Sequence, residues 1–137
     1  MDPDPVYMDK DYAAATRYGE PITPPLFPAA MLRLAYGGPD LLQERADDPT
    51  FDGAVGSATY GLPPLPLPNS PIVNGGMEVE FARYAKHGEP VFLEASYADI
   101  IERETSKGWM LFVHYDCRFL DAAGDLIMRF RRVQIRR

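Results

Sequence analysis

The chain has 137 residues, 46% of them hydrophobic, and a formal net charge of −6, which suits one hydrophobic core and is too little for two. The acidic balance disfavours polyanions, so no nucleic-acid partner is expected unless a local basic patch overrides it. No apolar run reaches the roughly eighteen residues that cross a bilayer and no basic, apolar leader opens the chain, so a cytoplasmic protein without a membrane partner is expected.

A single cysteine, Cys117, cannot form an internal disulfide, and the two histidines, His87 and His114, lie too far apart in sequence to suggest metal-ligand spacing. The composition changes near residue 75. Before it, prolines and glycines cut the chain into short pieces; after it come long alternating segments with a single proline, Pro90.

In chain order, Asp9 or Asp11 is placed to cap a short helix through Tyr12 to Tyr18, which Gly19 would end. Residues 26 to 36, LFPAAMLRLAY, repeat Phe27, Met31, Leu34 and Ala35 at spacings of three and four with Arg33 as the only charge, which predicts a mostly buried helix. Pro24 and Pro25 suit its first turn, and Gly37 and Gly38 stop it. Residues 39 to 47 fit one more helical turn. Residues 48 to 71, with GLPPLPLPNSP, cannot supply the donors of a helix or central strand and read as a long ordered loop. That loop either serves a proline-recognising domain or lies over the chain's own core, the commoner case.

The second half alternates with period two. Met77, Val79 and Phe81 share one side of a first strand. Val91, Leu93, Ala95 and Tyr97 share one side of a second, and Trp109, Leu111, Val113, Tyr115, Cys117 and Phe119 one side of a third. The AAGD at 122 to 125 is a tight turn into a last strand, where Met128 and Phe130 take one face and Val133 and Ile135 the other. This switch predicts a bulge at Arg131–Arg132. The fold class is therefore α+β, an antiparallel sheet able to wrap a buried helix, in one domain over residues 1–137.

Four segments in order, DPDPVYMD, PITPPLF, VNGGMEVEF and GWMLFVHYDCRFLDAAGDLIMRF, resemble the MaoC-like acyl-CoA dehydratases, and most nearly their dehydratase N-terminal subfamily, related to the fungal fatty acid synthase dehydratase. Gly88 and Glu89 stand where that subfamily has Gly-Asp. The resemblance implies a hotdog fold, with the helix near Pro25 as the sausage, and a 2-enoyl-CoA hydratase activity with no cofactor beyond the coenzyme A of the substrate. It also implies that this chain lacks the family's first strand and helix, either through a start placed downstream or as a natural shortened form. A missing outer strand would favour association through a sheet edge.

Carried over position by position, the family's D-x-N-P-x-H motif falls on Asp2, Asp4 and Tyr7. A tyrosine holds its proton at neutral pH and is a poor general base. Thr23-Pro24-Pro25 stands where active members have His-Gly, and proline has no N–H to offer an oxyanion. The resemblance thus implies the non-catalytic half of a double-hotdog hydratase, a homodimer or a heterodimer with a catalytic Asp/His subunit. Phe27, Met31, Tyr60 and Leu62 would line its acyl channel, and Asn74, Gly75 and Gly76 would approach the ligand through their backbone. Glycines before a strand are first explained by a turn or bulge.

Other residues carry weaker signals. His114 and Asp116 lie two apart on one strand face and form a fallback acid/base pair, although a structural histidine is the commoner case. Arg129, Arg131, Arg132, Arg136 and Arg137 fall within nine residues; the first three suit coenzyme A phosphates, and the alternative is a charged edge and solvated tail. Two rival functions remain: an acyl-CoA thioesterase using Glu78, Glu80 or Asp99, and a non-enzymatic acyl-CoA-binding subunit. Glu78 and Glu80 also fit a solvated face, and His87 an exposed turn.

Overall fold

The long alternating segments pair into one antiparallel sheet, which carries almost all the tertiary structure. In the computed structural model the described residues are 3–30, 41–49, 60–63, 65–67, 71–106 and 108–137. Strands β1 (Ile72–Phe81), β2 (Phe92–Thr105), β3 (Gly108–Leu120) and β4 (Leu126–Arg136) lie in the order β1-β4-β3-β2. The two longest strands form a hairpin, and β1 and β2 are the outer members of the sheet.

Period two divides each strand into an inner and an outer set. On central strand β3 the inner set is Val113, Tyr115, Cys117 and Phe119, each almost fully buried. Their partners Phe130 and Met128 on β4 complete the core with Ala85 and Ile127. Each such large apolar side chain contributes about 1.5–3 kcal/mol on leaving water. Phe119 and Phe130 stack at 5.6 Å, and Tyr97 and Tyr115 at 5.2 Å, in tilted geometries that aromatic quadrupoles favour.

Three register shifts adjust the sheet, at Asn74/Gly76, Tyr97/Asp99 and Phe119/Leu120. The bulge expected at Arg131–Arg132 is absent: Cys117↔Phe130, Tyr115↔Arg132, Val113↔Gln134 and Leu111↔Arg136 run unbroken. The inner set of β4 therefore continues through Arg132, Gln134 and Arg136, and Val133 and Ile135 sit on the outer face. Gln134 is tolerated inside because Tyr115 Oη donates to its Oε1 at 3.0 Å.

The N-terminal third folds as short capped pieces. Asp4 accepts from Val6 N at 3.0 Å at the start of a 3-10 turn, Pro5–Tyr7. Asp9 caps α1 (Lys10–Ala14) by accepting from Asp11 N and Tyr12 N, both at 3.0 Å. This helix stops four residues before the expected Tyr18; Gly19, at φ +72°, belongs to the turn beyond it. Helix α2 (Phe27–Ala30) turns Pro28 and Ala29 toward the core and leaves Phe27 exposed, so Phe27 is not the core residue its spacing predicted. Residues 31–36 of the expected longer helix lie outside the described residues. Helix α3 (Leu41–Glu44) supplies the further turn.

Residues 60–63 and 65–67 of the proline-rich stretch lie over the sheet, and residues 50–59, 64 and 68–70 of it lie outside the described residues. Tyr60, Leu62 and Leu65 pack against the core cluster, and Tyr97 Oη donates to Pro63 O at 2.6 Å. Tyr60 adopts φ +55°, a left-handed conformation disfavoured for any L-residue with a side chain. Its ring is held by Tyr115 at 5.4 Å and Phe130 at 5.3 Å, both edge-on.

Candidate substrate cleft and the two faces of the sheet

Segment 21–23 meets segment 85–87 far from it in sequence. Ile22 bridges Lys86, Thr23 N donates to Ala85 O at 2.7 Å, and His87 N donates to Pro21 O at 3.2 Å. Ile22 N also donates to Val6 O at 3.4 Å, which holds the 3-10 turn beside this junction. The junction opens a cleft of about 230 Å³ bordered by Thr23, Phe27, Pro28, Lys86, Glu89 and Val91, among others.

One wall of the cleft is rigid for an electrostatic reason. Arg83 pairs with Glu89 through both carboxylate oxygens and with Asp121 at 2.7 Å, which ties the β1–β2 connection to the β3–β4 turn. The Arg83 hydrogen bonds hold Glu89 below the usual carboxylate range, against the opposing effect of burial, and Lys86 N adds a further bond at 2.8 Å. Lys86 Nζ is paired with Glu20 at 2.5 Å. Lys86 and Glu89 are the ionisable side chains among the described residues of the cleft lining, and both are engaged in ion pairs.

From the cleft an apolar lane continues along the inner face of β2. Val91, Leu93, Ala95 and Tyr97 are all partly buried and pack against the core cluster. Their row ends where Tyr97 faces Tyr115 and Tyr115 faces Arg132. Burial pushes the Tyr115 phenol up to about 12 and the Cys117 thiol to about 12, so neither ionises near neutrality.

The expected site residues fall in separate places. Asp2 and Met31 lie outside the described residues. Tyr7 is half-buried in the 3-10 turn. Thr23 borders the cleft, and its buried Oγ1 has no hydrogen-bond partner. Phe27 reaches the cleft, whereas Tyr60 and Leu62 pack on the sheet. Asn74, Gly75 and Gly76 form the β1 bulge: Asn74 Oδ1 accepts from Gly76 N at 3.3 Å. A Cβ at Gly75 would lie 3.0 Å from Val133 O, so close approach to β4 explains this glycine without a ligand.

His114 and Asp116 project from the outer face, opposite the lane, which separates them from the cleft and core. Arg129 grips Asp116 through Nε at 2.7 Å and a second guanidinium nitrogen, and its hydrogen bonds hold Asp116 below the usual carboxylate range. A carboxylate locked in that fork is a poor proton relay. Glu78, Glu80 and Asp99 share the outer face through their partners Arg131, Arg129 and His114, so none of the proposed thioesterase carboxylates faces the lane. The expected phosphate-binding arginines separate too: Arg129 and Arg131 are outside, beside Glu78 and Glu80 in a charged cleft of about 280 Å³, and Arg132 is inside. The three cannot converge on one phosphate.

Sequence reading missed Lys86 and Glu89 as neighbours of Thr23, because only the long-range bridge unites them. The inward direction of Arg132 was available by extending the Met128, Phe130 alternation by one step.

Against known proteins, the family model for the FAS1-like dehydratase domain region matches residues 1–130. The chain belongs to that family. Structures similar to this FAS1-like dehydratase region include the R-hydratase PhaJ1 from Pseudomonas aeruginosa, at 17% identity and TM-score 0.57 over 97% of this chain and 64% of that one. The ChsH1–ChsH2 complex from Mycobacterium tuberculosis matches at 17% identity and TM-score 0.65 over 98% and 69%. A MaoC-like dehydratase from Rhodospirillum rubrum matches at 17% identity and TM-score 0.64 over 100% and 77%. No curated protein matches the sequence. The shared architecture is the hotdog fold. The FAS1-like dehydratase region thus spans about two thirds of the length of the Pseudomonas hydratase. Among its described residues no helix is long and apolar enough to cross a membrane.

Proposed function

We propose that this FAS1-like dehydratase region is the channel-forming half of a two-hotdog 2-enoyl-CoA hydratase, completed by a second hotdog subunit that brings the acid/base pair. Hydration of a 2-enoyl thioester requires a base to take a proton from water as its oxygen adds to C3. It also requires donors for the enolate oxygen and an acid to protonate C2. The observation that carries the reading is the cleft lining: its ionisable groups, Lys86 and Glu89, are both tied into ion pairs. Pro24, at the start of the expected central helix, has no N–H to donate.

What this chain supplies is a bounded apolar path, from Phe27 and Val91 at the cleft along Leu93, Ala95 and Tyr97. Strand β2 is an outer strand of the sheet, so a second chain alongside it would cover the lane. That one of the similar structures is a complex of two differently named chains, ChsH1 and ChsH2, supports such a pairing. The outward placement of Glu78, Glu80 and Asp99 speaks against the thioesterase alternative.

The test is loss of the enoyl thioester absorbance with 2-enoyl-CoA substrates, using the purified chain alone and after co-expression with a MaoC-like subunit carrying the aspartate and histidine. Turnover is expected only in the pair. Turnover by the chain alone, retained in Tyr7→Phe, would show that the acid/base groups lie elsewhere in this chain.

A further inference from the structure

The inner face of β4 carries a guanidinium, that of Arg132, which the described residues do not neutralise. Arg132 sits between Phe130 and Gln134, with Tyr115 on one neighbouring strand and Met77 on the other. Its hydrogen-bond partner is a neutral group, Tyr60 Oη, reached from Nη1 at 2.7 Å. The outer-face arginines contrast with it: Arg118 is paired with Glu94, Arg129 with Asp116 and Arg131 with Glu78, as is Arg83 with Glu89 and Asp121 beside the cleft. Among the described residues no carboxylate lies within ion-pair distance of Arg132.

A guanidinium has five N–H donors in a fixed fork, and the bond to Tyr60 uses one. Half-buried charge without an opposite charge is unfavourable unless something supplies one. Position determines what that would be. The lane of Val91, Leu93, Ala95 and Tyr97 leads from the cleft to this row, over six residues or about 20 Å of strand. A group bound at Arg132 is therefore remote from one bound in the cleft, and apolar wall lies between them.

We propose that Arg132 recognises a carboxylate on the distal end of the acyl chain, so that the preferred substrates are coenzyme A mono-thioesters of long dicarboxylic acids. The inference rests on the reading of the lane as an acyl channel. A carboxylate accepts two parallel bonds from the fork, and Tyr60, by holding one nitrogen, fixes the plane in which the others are offered. Phosphate offers the same anionic oxygens, and the coenzyme A moiety is the other source of them, so the experiment separates the two.

The complex of this chain with a co-expressed MaoC-like subunit is titrated calorimetrically with dodecanedioic acid mono-CoA thioester and with dodecanoyl-CoA, which share the coenzyme and differ in the terminal carboxylate. Wild type is expected to bind the diacid thioester at least about tenfold more tightly, the scale of a charge-assisted fork. Arg132→Met is expected to abolish that preference while leaving dodecanoyl-CoA affinity within about twofold, and Arg132→Lys to keep part of it. The wild-type comparison needs no variant to fold. Equal wild-type affinities overturn the proposal and leave the channel intact. Equal weakening of both ligands by Arg132→Met also overturns it, assigning the arginine to the coenzyme or to the fold. Binding of neither thioester overturns the channel and the proposal together.

Discussion

Tyr60 holds the proline-rich segment on the sheet, and its unusual backbone makes a sharp test. Replacing it with alanine removes a half-buried aromatic ring with two edge-on partners, at 5.4 and 5.3 Å. Full Phe→Ala core truncations cost about 3–5 kcal/mol, so a half-buried ring scales to about 2–3 kcal/mol, including its aromatic pairings. Tyr60→Phe keeps the ring and loses only the bond from Arg132, at about 1 kcal/mol. Glycine then separates packing from backbone. At φ +55° alanine retains about 1–2 kcal/mol of left-handed strain, whereas glycine removes it and adds about 0.5–1 kcal/mol of chain entropy. Tyr60→Gly is therefore expected to be milder than Tyr60→Ala by about 0.5–1 kcal/mol, the reverse of the usual order. Urea unfolding followed by circular dichroism reads the series: with a slope of about 2 kcal/mol/M, Tyr60→Ala lowers the midpoint by about 1 M. A milder alanine than glycine, or an alanine variant indistinguishable from wild type, would refute the placement of this segment.

Two further perturbations probe the wall of the cleft and the β1 bulge. Arg83 depresses the Glu89 and Asp121 carboxyls, and Arg129 that of Asp116; a depressed folded value means stability fully present above the unfolded carboxylate range, near 4, and lost as pH falls through the folded values. Urea midpoints taken from about pH 6 to pH 3 should therefore fall more steeply for wild type than for Glu89→Gln, which is expected to be about 1 kcal/mol less stable at neutral pH; parallel curves would remove the ion pair from the account. Gly75→Ala forces a Cβ to 3.0 Å from Val133 O and Cγ1 and should cost about 1–3 kcal/mol by overpacking. Val133→Ala should recover part of that loss in the double variant, whereas Gly76→Ala, strained at φ +114° in open space, should gain nothing from the same change.

The sheet was legible in the sequence because a half-buried strand repeats every two residues, and the inner sets of β2 and β3 follow that rule as far as Tyr97 and Phe119. The reading failed where the inner face turns polar. The split of Met128 and Phe130 from Val133 and Ile135 holds, but no bulge accompanies it: unbroken alternation carries the inner face on through Arg132, Gln134 and Arg136, for which Tyr60 and Tyr115 provide partners that only tertiary structure reveals. The Tyr97/Asp99 shift was equally hidden, since a bulge changes the paired set without changing composition. The cleft had no local signal at all: Thr23 and Lys86 meet through a bridge between segments more than sixty residues apart.

The two faces of the sheet divide the chain's work. Outside, Glu94–Arg118, Asp116–Arg129 and Glu78–Arg131 span neighbouring strands and satisfy one another, so the carboxylates and the histidine that looked catalytic in sequence stand away from the apolar lane. Inside, the lane is apolar until Arg132, and the ionisable groups at its mouth are already paired. A hydrating site needs a base free to take a proton beside a donor for the enolate. The inner face provides length, shape and the guanidinium groups of Arg132 and Arg136; on the function proposed above these select among acyl chains, and the proton chemistry falls to a second subunit.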